Sequence, residues 1–196
     1  MMEKVDIIVD NLLSKEAAKI PRMNQLVIIT TISTKGVVNA AVKSEVFHAL
    51  TKPPVFGFSC NLGHHTCKNI LEQHEFVINI PGEDIVGKAM KTAYDYPVGV
   101  NELDEAGLQA LSSKKVKPPR IAECVAHFEC RHEWHDIHGE EILIFGRVMA
   151  ASLNKDLYEA TIEERFRIAR PIVVMGEYRY SPVHEVKKLV EKQKAH

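Results

Sequence analysis

The sequence predicts a mainly β protein whose strands close into an antiparallel barrel with a few inserted helices. Two observations predict this fold. About seven short runs rich in β-branched and apolar residues are separated by turn residues, and their spacing suits hairpin connections. The runs also lack the regular strand–helix alternation that a parallel, doubly wound sheet requires. The chain has 196 residues, 45% of them hydrophobic, so one domain over residues 1–196 with a full core is expected.

The first four strands are expected before residue 81, with one helix among them. They are predicted from β-branched or apolar runs at 26–32, 37–47, 55–59 and 76–80. Gly36 tolerates a positive φ and supplies the first hairpin turn. Thr66 is a good N-cap for a helix that runs to about His74, and Pro81 ends the fourth strand.

The second half is expected to contain three strands and three helices. The strands are predicted at 121–134, 142–148 and 172–175, and the helices at 83–93, 101–111 and about 181–194. Gly107 interrupts the second of these helices. Ser181-Pro182 is typical of a helix start, because proline is favoured in the first turn.

Composition and charge exclude several classes of function. Lys and Arg number 25 against 26 Asp and Glu, a formal net charge of −1, which gives no electrostatic reason to bind nucleic acid or an anionic membrane. The polar N-terminus lacks a signal-peptide core, and no apolar stretch approaches the roughly 18 residues of a membrane helix. The four cysteines show no C-x-x-C spacing, so a cytoplasmic protein with reduced thiols is expected.

The stretch from Ser33 to Asn69 has the composition of a site for a phosphorylated, planar ligand. The small residues at 39–41 are poor strand formers, but they let a backbone approach a flat polar molecule. Thr66 and Lys68 lie at a helix start, where backbone N–H groups and the helix dipole favour a phosphate. Packed barrel wall at 39–41 and a plain cap at Thr66 are the alternatives.

The order of these pieces resembles the flavin reductase-like family, the FMN-binding split β-barrels that include the flavoredoxins. The resemblance extends from about Leu26 to Tyr180. It rests on the segments 27–31, 36–44, Pro53-Pro54, the helix start at 66–70, 76–81, 105–108, 118–121, 146–148 and 176–180.

The resemblance implies a split antiparallel barrel that forms a homodimer and binds one FMN per subunit. Residues 39–44 would face the flavin ring, 59–61 would flank the ribityl chain, and 65–69 would surround the phosphate. The predicted cofactor-binding residues are Thr30, Thr31, Asn39, Ala40, Ala41, Val42, Lys43, Ser44, Ser59, Cys60, Asn61, His65, Thr66, Lys68 and Asn69. No catalytic residue and no metal ligand is predicted.

The chain departs from the family pattern at two places. Val42 and Lys43 stand where the family usually has a proline and an aromatic residue, and a cation there is hypothesised to lie near N1 of the flavin and to favour its reduction. The run 139–141, Gly-Glu-Glu, stands where many NAD(P)H-using members have Gly-Asp-His. The second departure weakens the case for direct NAD(P)H use and leaves room for a protein partner.

Three functions are therefore compared. The first is an oxidoreductase that passes hydride from NAD(P)H through FMN to an acceptor. The second is a flavoredoxin-type carrier that exchanges electrons with a redox protein such as a ferredoxin and does not itself use NAD(P)H. The third, a small-ligand or haem-utilisation barrel, is disfavoured by the phosphate-type helix start.

A few residues outside this pattern have two interpretations each. His127, His132, His135 and His138 are expected to be solvated loop histidines, with a surface metal site as the alternative. Trp134 is expected in packing or a dimer interface. The basic run at 114–117 is expected in a solvated loop, with docking of an acidic redox partner as the alternative.

Overall fold

The computed structural model describes residues 20–176 and 179–187. Those residues form twelve strands and five α-helices. The strands are β1 (Asn24–Gln25), β2 (Val27–Ile32), β3 (Val38–Lys43), β4 (Val46–Leu50), β5 (Val55–Asn61), β6 (Glu75–Ile80), β7 (Ala110–Leu111), β8 (Arg120–Ile121), β9 (Ala126–His138), β10 (Glu141–Leu153), β11 (Ile172–Gly176) and β12 (Arg179–Pro182). The helices are α1 (His65–Gln73), α2 (Val86–Lys91), α3 (Glu102–Ala106), α4 (Lys155–Glu159) and α5 (Ile162–Ala169).

Seven of the strands form one antiparallel sheet in the order β3-β2-β6-β9-β10-β5-β4. The predicted antiparallel, mainly β architecture is thereby confirmed. The two edge strands, β3 and β4, are consecutive in the chain and are joined only by Ser44 and Glu45. The sheet must therefore curl until its edges approach each other at this connection, and they remain unpaired with each other beyond it.

The core lies on both faces of β2, whose side chains alternate between two apolar clusters. Val27 and Ile29 pack with residues of β5, β6, β10 and α1. Leu26 and Ile28 pack with residues of α2, α3 and β11. The continuous apolar run of this strand is explained by burial on both faces.

Several predicted boundaries are corrected by the structure. The strand predicted at 37–47 is two strands, because the chain turns at Ser44 and Glu45 to reach the opposite edge. The strand predicted at 121–134 begins at Ala126 and continues to His138, while Arg120–Ile121 pairs with β7. The helix predicted at 101–111 ends at Ala106, because Gly107 adopts a φ of 66° that terminates it.

The predicted C-terminal helix is wrong for the part of it that the structure describes. Ser181 and Pro182 belong to β12, which pairs with β11 at the edge of a three-stranded sheet, and residues 183–187 have no regular structure. A proline without an N–H is tolerated on an edge strand as well as in a first helical turn. Residues 188–194 of the prediction lie outside the described residues.

Two short helices, α4 and α5, were not predicted. Ala160 and Thr161 separate them, and Thr161 begins α5 with a capping box in which Glu164 reaches back to it. Both helices are short and rich in charged residues, and α5 has no buried residue, so neither shows the long apolar periodicity by which a helix is recognised in a sequence.

The basic loop at 114–117 is held by a buried carboxylate. Glu129 of β9, 2% exposed, accepts the backbone N–H groups of Lys114 and Lys115 at 2.6–2.9 Å and lies 3.7 Å from Arg120 Nε. The lysine side chains remain exposed, as expected for a solvated loop. Among residues 20–176 and 179–187, no helix has the length and hydropathy of a membrane span.

Gly146 of β10 is expected to tolerate no side chain. A Cβ there would overlap the ring of Phe76, which is fully buried against Phe58 at a centroid distance of 5.4 Å. We expect Gly146→Ala to lower the free energy of unfolding by about 1–3 kcal/mol, the usual cost of overpacking, measured by urea denaturation.

Gly87 provides the matched control for this substitution. Apart from its chain neighbours and the backbone of its own helix, no atom lies within 4 Å of a Cβ built at Gly87 in α2, so Gly87→Ala should stabilise the protein slightly, by about 0.5–1 kcal/mol. A Gly146→Ala protein that unfolds at the wild-type urea concentration would contradict the packing described here.

Candidate functional site

A cavity of about 280 Å³ lies where the outer edge of β3 faces the start of α1. Its walls come from β3, the loop and first turn of α1, the segment after α2, and α3. The lining residues are Asn39, Ala40, Ala41, Val42, Lys43, Gly63, His64, His65, Thr66, Thr92, Ala93, Tyr94, Asp95, Tyr96 and Glu102. The two predicted clusters, 39–43 and 65–66, thus meet in one cavity.

The β3 side of the cavity is an unpaired strand edge. The N–H of Ala40 points away from β2 and donates to Glu102 Oε2 at 3.1 Å. In an antiparallel strand the N–H and C=O of one residue point to the same edge, and those of the next residue point to the opposite edge. The backbone of Val42, two residues on, therefore points to the same side and offers one donor and one acceptor.

Glu102 is the buried acidic residue of this cavity, and it was not predicted. It is only 5% exposed, and burial raises the pKa of its carboxyl, an effect that the Ala40 N–H and His65 oppose. No cation forms an ion pair with Glu102 among residues 20–176 and 179–187. The sequence did not indicate Glu102 as a site residue, because it lies with other acidic residues in the first turn of a helix. Acidic residues are common there for their interaction with the helix dipole.

Asn39 connects Glu102 to the start of α1. In one amide orientation its nitrogen donates to Thr66 Oγ1 at 3.1 Å. In the other its nitrogen donates to Glu102 Oε1 at 3.2 Å and its oxygen accepts from Thr66 Oγ1 at 3.1 Å. Asn39 and Thr66 are 7% and 1% exposed, so these three side chains form a buried polar chain beside the cavity.

The start of α1 can accept an anion. The residue before the helix, His64, is extended and makes no side-chain cap, and the first turn contains no acidic residue. The first N–H groups of a helix have no intrahelical partners, and the helix dipole adds a favourable field for negative charge. Thr66 lies inside the first turn, so it is not the N-cap that the sequence suggested.

Lys43 brings a cation to the same end of the cavity. The pKa of His64 is lowered, first by partial burial and then by the Lys43 ammonium, with Asp95 opposing. Burial raises the pKa of the Cys60 thiol, and Lys43 opposes that shift through charge and a hydrogen bond. Lys43 therefore acts at the start of α1.

A second cavity, of about 320 Å³, lies on the other side of Asn39, His65 and Glu102, which line both. Lys68 and Asn69, which were predicted near the phosphate, line this second cavity. Its remaining walls come from Glu72 of α1, the β2–β3 hairpin and the loop at 98–100.

The other predicted residues lie outside both linings. Thr30 Oγ1 donates to the carbonyl of Pro119, and Thr31 Oγ1 accepts from Asn69 at 2.9 Å. Ser44 is bonded to its neighbour Glu45 at 2.8 Å. Residues 59–61 belong to β5, which pairs with β10.

The segment 92–96 and His64 complete the first cavity, and neither was in the predicted set. Tyr94 and Tyr96 bring aromatic rings, with centroids 6.2 Å apart. The segment follows a helix and has no repeating pattern, so only the tertiary structure shows that it reaches the site.

The first cavity fits a molecule with an anionic end and a polar, planar end. The α1 start, Lys43 and His64 provide donors and positive charge at one end. The unpaired edge of β3 provides backbone donors and acceptors beside Ala40 and Ala41, whose small side chains permit close approach. A flavin with a terminal phosphate has these two ends.

The histidines that were predicted in a solvated loop lie instead on β9, where they make separate contacts. His127 is buried, with Nε2 2.8 Å from the carbonyl of Ile121. A bulge in the pairing near residue 133 puts His132 and His135 on one face, where they and His74 form a row with nitrogen distances of 3.1 and 3.3 Å. The described residues contain no group of three or more His, Cys, Asp or Glu that could hold a metal ion.

Comparison with known proteins identifies relatives over most of the chain. The family model of the flavin reductase like domain matches residues 22–180. An uncharacterised protein of Aquifex aeolicus is 31% identical over 154 residues, which are 76% of this chain and 78% of that protein.

Solved structures share the fold at lower identity. Nitrilotriacetate monooxygenase component B from Bacillus cereus has a TM-score of 0.83 at 23% identity, over 96% of this chain and 100% of that chain. A flavoredoxin from Methanosarcina acetivorans has 0.79 at 19%, over 97% of each chain. A candidate flavin reductase with a split barrel domain from Shewanella frigidimarina has 0.76 at 18%, over 93% of this chain and 98% of that one. The predicted split-barrel fold is confirmed.

All four cysteines are expected to be unreactive in the folded protein. They are buried, and burial raises the pKa of each thiol, while the thiolate is the reactive form. At pH 8 a chromogenic disulfide reagent should label none of them at the rate of free cysteine, and all four after unfolding in urea. A thiol that reacts rapidly in the folded protein would contradict this expectation.

Proposed function

Because this chain belongs to the flavin reductase-like family, for which a flavin cofactor is implied, we propose that it binds FMN and transfers electrons. One observation supports this proposal above the others. A single cavity joins an uncapped helix start with a nearby lysine to the open edge of a strand of small residues. The bound flavin would supply the hydride- and electron-transfer chemistry, and the protein supplies binding and orientation.

We assign the phosphate to the start of α1 and the polar edge of the flavin ring to β3. Backbone N–H groups of the first turn, Lys43 and Thr66 are the donors for the phosphate. The free N–H and C=O of Val42 are the groups offered to the ring. This assignment gives Lys43 a role at the phosphate instead of the hypothesised role beside N1.

The preferred reaction is transfer of hydride from NAD(P)H through FMN to an acceptor. The alternative is a carrier that exchanges electrons with a redox protein and does not itself use NAD(P)H. The similarity in fold to a flavoredoxin, together with Glu140 and Glu141 at the β9–β10 turn where many NAD(P)H-using members have Asp and His, supports the alternative.

The proposal includes a homodimer in the cytoplasm. The family resemblance supports the dimer, and the four unpaired, buried cysteines agree with a reducing compartment. The mass of the purified protein by light scattering tests the dimer, and a monomer at micromolar concentration would contradict it.

The absorbance spectrum of the purified protein tests the cofactor directly. We expect a visible flavin band, present on purification or gained when FMN is added. A protein that shows neither would contradict the proposal. Stopped-flow mixing of the FMN-loaded protein with NADH or NADPH then separates the two reactions: rapid bleaching supports the reductase, and bleaching only by a reduced ferredoxin supports the carrier.

Lys43→Met tests the assignment of the phosphate end. Losing this cation should weaken FMN binding by about tenfold, roughly 1.4 kcal/mol, and leave the binding of riboflavin, which lacks the phosphate, nearly unchanged. Lys91→Met, a similar change at the exposed end of α2, is the control. A normal FMN affinity with an altered midpoint potential would instead support a position of Lys43 beside N1.

A further inference from the structure

We propose that Glu102 takes up a proton from solvent when the site binds the phosphate of FMN, and that Asn39 and Thr66 form a hydrogen-bonded relay that carries the effect to the start of α1. This inference rests on the proposed function. It concerns which residue carries the proton and how its effect reaches the start of α1.

The relay has two arrangements, and the Asn39 amide connects them. When Glu102 is ionised, Oε1 accepts from the Asn39 nitrogen at 3.2 Å, and the amide oxygen then accepts the Thr66 hydroxyl hydrogen at 3.1 Å. The Thr66 hydrogen is therefore used inside the protein. A phosphate at the helix start would find only the oxygen of that side chain, which cannot donate to it.

Protonation of Glu102 favours the opposite arrangement. A protonated Oε1 is a donor, so it requires the amide oxygen of Asn39 to face it, which turns the amide nitrogen toward Thr66. The nitrogen then donates to Thr66 Oγ1 at 3.1 Å. This arrangement gives up the bond at 3.2 Å that the amide oxygen accepts from the Ala40 N–H in the first arrangement, so the protonated carboxyl must offset that loss. Because Oγ1 now accepts, its hydrogen is free to donate to a phosphate oxygen.

The surroundings of Glu102 favour uptake of this proton. Oε2 is bonded to the Ala40 N–H at 3.1 Å, and the side chain is 5% exposed, so its charge is poorly solvated. An arriving phosphate adds negative charge to the same cavity, which favours the neutral carboxyl.

Other titratable groups share this environment, and a test must separate them. His65 faces Glu102 from α1, and Tyr96 faces it from the segment after α2. Lys43, His64, Tyr94 and Asp95 line the same cavity, and Lys35, Lys68 and Glu72 line the second cavity, which Glu102 also lines. Lys88 of α2 is bonded to the carbonyl of Gly107 at the far end of α3. On α3 itself, Glu105 is exposed.

The sign of the pH dependence follows from this arrangement. Glu102 would have a higher pKa in the FMN complex than in the free protein. Its contribution to affinity is then fully present below the free-protein pKa and is lost as the pH rises through the pKa of the complex. The affinity falls by up to tenfold for each unit by which the pKa of Glu102 in the FMN complex exceeds its pKa in the free protein.

Glu102→Gln is the central variant, because it removes the charge, preserves the shape and keeps an oxygen for the Ala40 N–H. Its own amide N–H₂ can donate to the Asn39 oxygen, which holds the relay in the arrangement that frees Thr66. Calorimetric titration with FMN from pH 5.5 to 8.5, in buffers of different ionisation enthalpy, measures both the affinity and the protons taken up. Protons bound by the phosphate and by groups other than Glu102 contribute to both proteins, so they cancel when the proton uptake of the variant is subtracted from that of wild type.

We expect the two proteins to bind FMN equally at the acid end and the variant to bind about tenfold more tightly at pH 8. Proton uptake should be smaller in the variant. Glu105→Gln removes the same charge from the exposed side of α3 and should behave as wild type. Parallel pH profiles for wild type and Glu102→Gln would overturn the proposal.

One further arm distinguishes the relay from simple charge repulsion, and a second shows whether the effect requires the phosphate. Thr66→Val removes the final donor, so in that background Glu102→Gln should keep only the part of its effect that comes from charge repulsion, well below the tenfold gain, and Thr66→Ser should restore the full effect. Riboflavin, which lacks the phosphate, should bind wild type and Glu102→Gln with equal affinity, and Thr66 is present in both of these proteins. The relay would be overturned if Glu102→Gln raised FMN affinity as much in the Thr66→Val background as in wild type, or if it raised riboflavin affinity by the same factor. Absence of flavin binding in every protein would instead contradict the proposed function itself.

Discussion

The outer edge of β3 is the constraint on which the site depends. The seven-stranded sheet ends there, so one side of the strand has backbone donors and acceptors that no neighbouring strand satisfies. Such groups are costly to bury and must find side chains, water or a ligand. Glu102 satisfies the N–H of Ala40, and the adjacent backbone remains open to the cavity. The short connection at Ser44 and Glu45 maintains this opening, because it joins two edges that do not pair.

The second requirement is that groups that attract negative charge and a buried acidic group lie in the same cavity. The start of α1 and Lys43 attract negative charge, whereas Glu102 brings a buried carboxyl to the β3 side. A buried carboxylate without an ion-pair partner among the described residues is an expensive arrangement, and replacing buried charged groups by apolar ones often stabilises a protein. Its presence beside the ligand cavity is more readily explained by function than by stability.

The sequence predicted the barrel and half of the site for identifiable reasons. The strands are strongly β-branched, and Thr66 and the small residues at 39–41 are local signals, so their positions followed from patterns. Glu102, Tyr94 and Tyr96 reach the cavity only through tertiary packing of short elements, which no local pattern encodes. The C-terminal helix was wrong at Ser181 and Pro182 because those residues suit an edge strand and a helix start equally well.

The row formed by His74, His132 and His135 disfavours a positive charge at its centre. The pKa of His132 is lowered, first by burial and then by the two neighbouring imidazoles. A neutral imidazole has one donor and one acceptor nitrogen, and both ring nitrogens of His132 are used, one toward His74 and one toward His135. Because His74 is the C-terminal cap of α1, a neutral His132 links the end of that helix to β9 through its side chain.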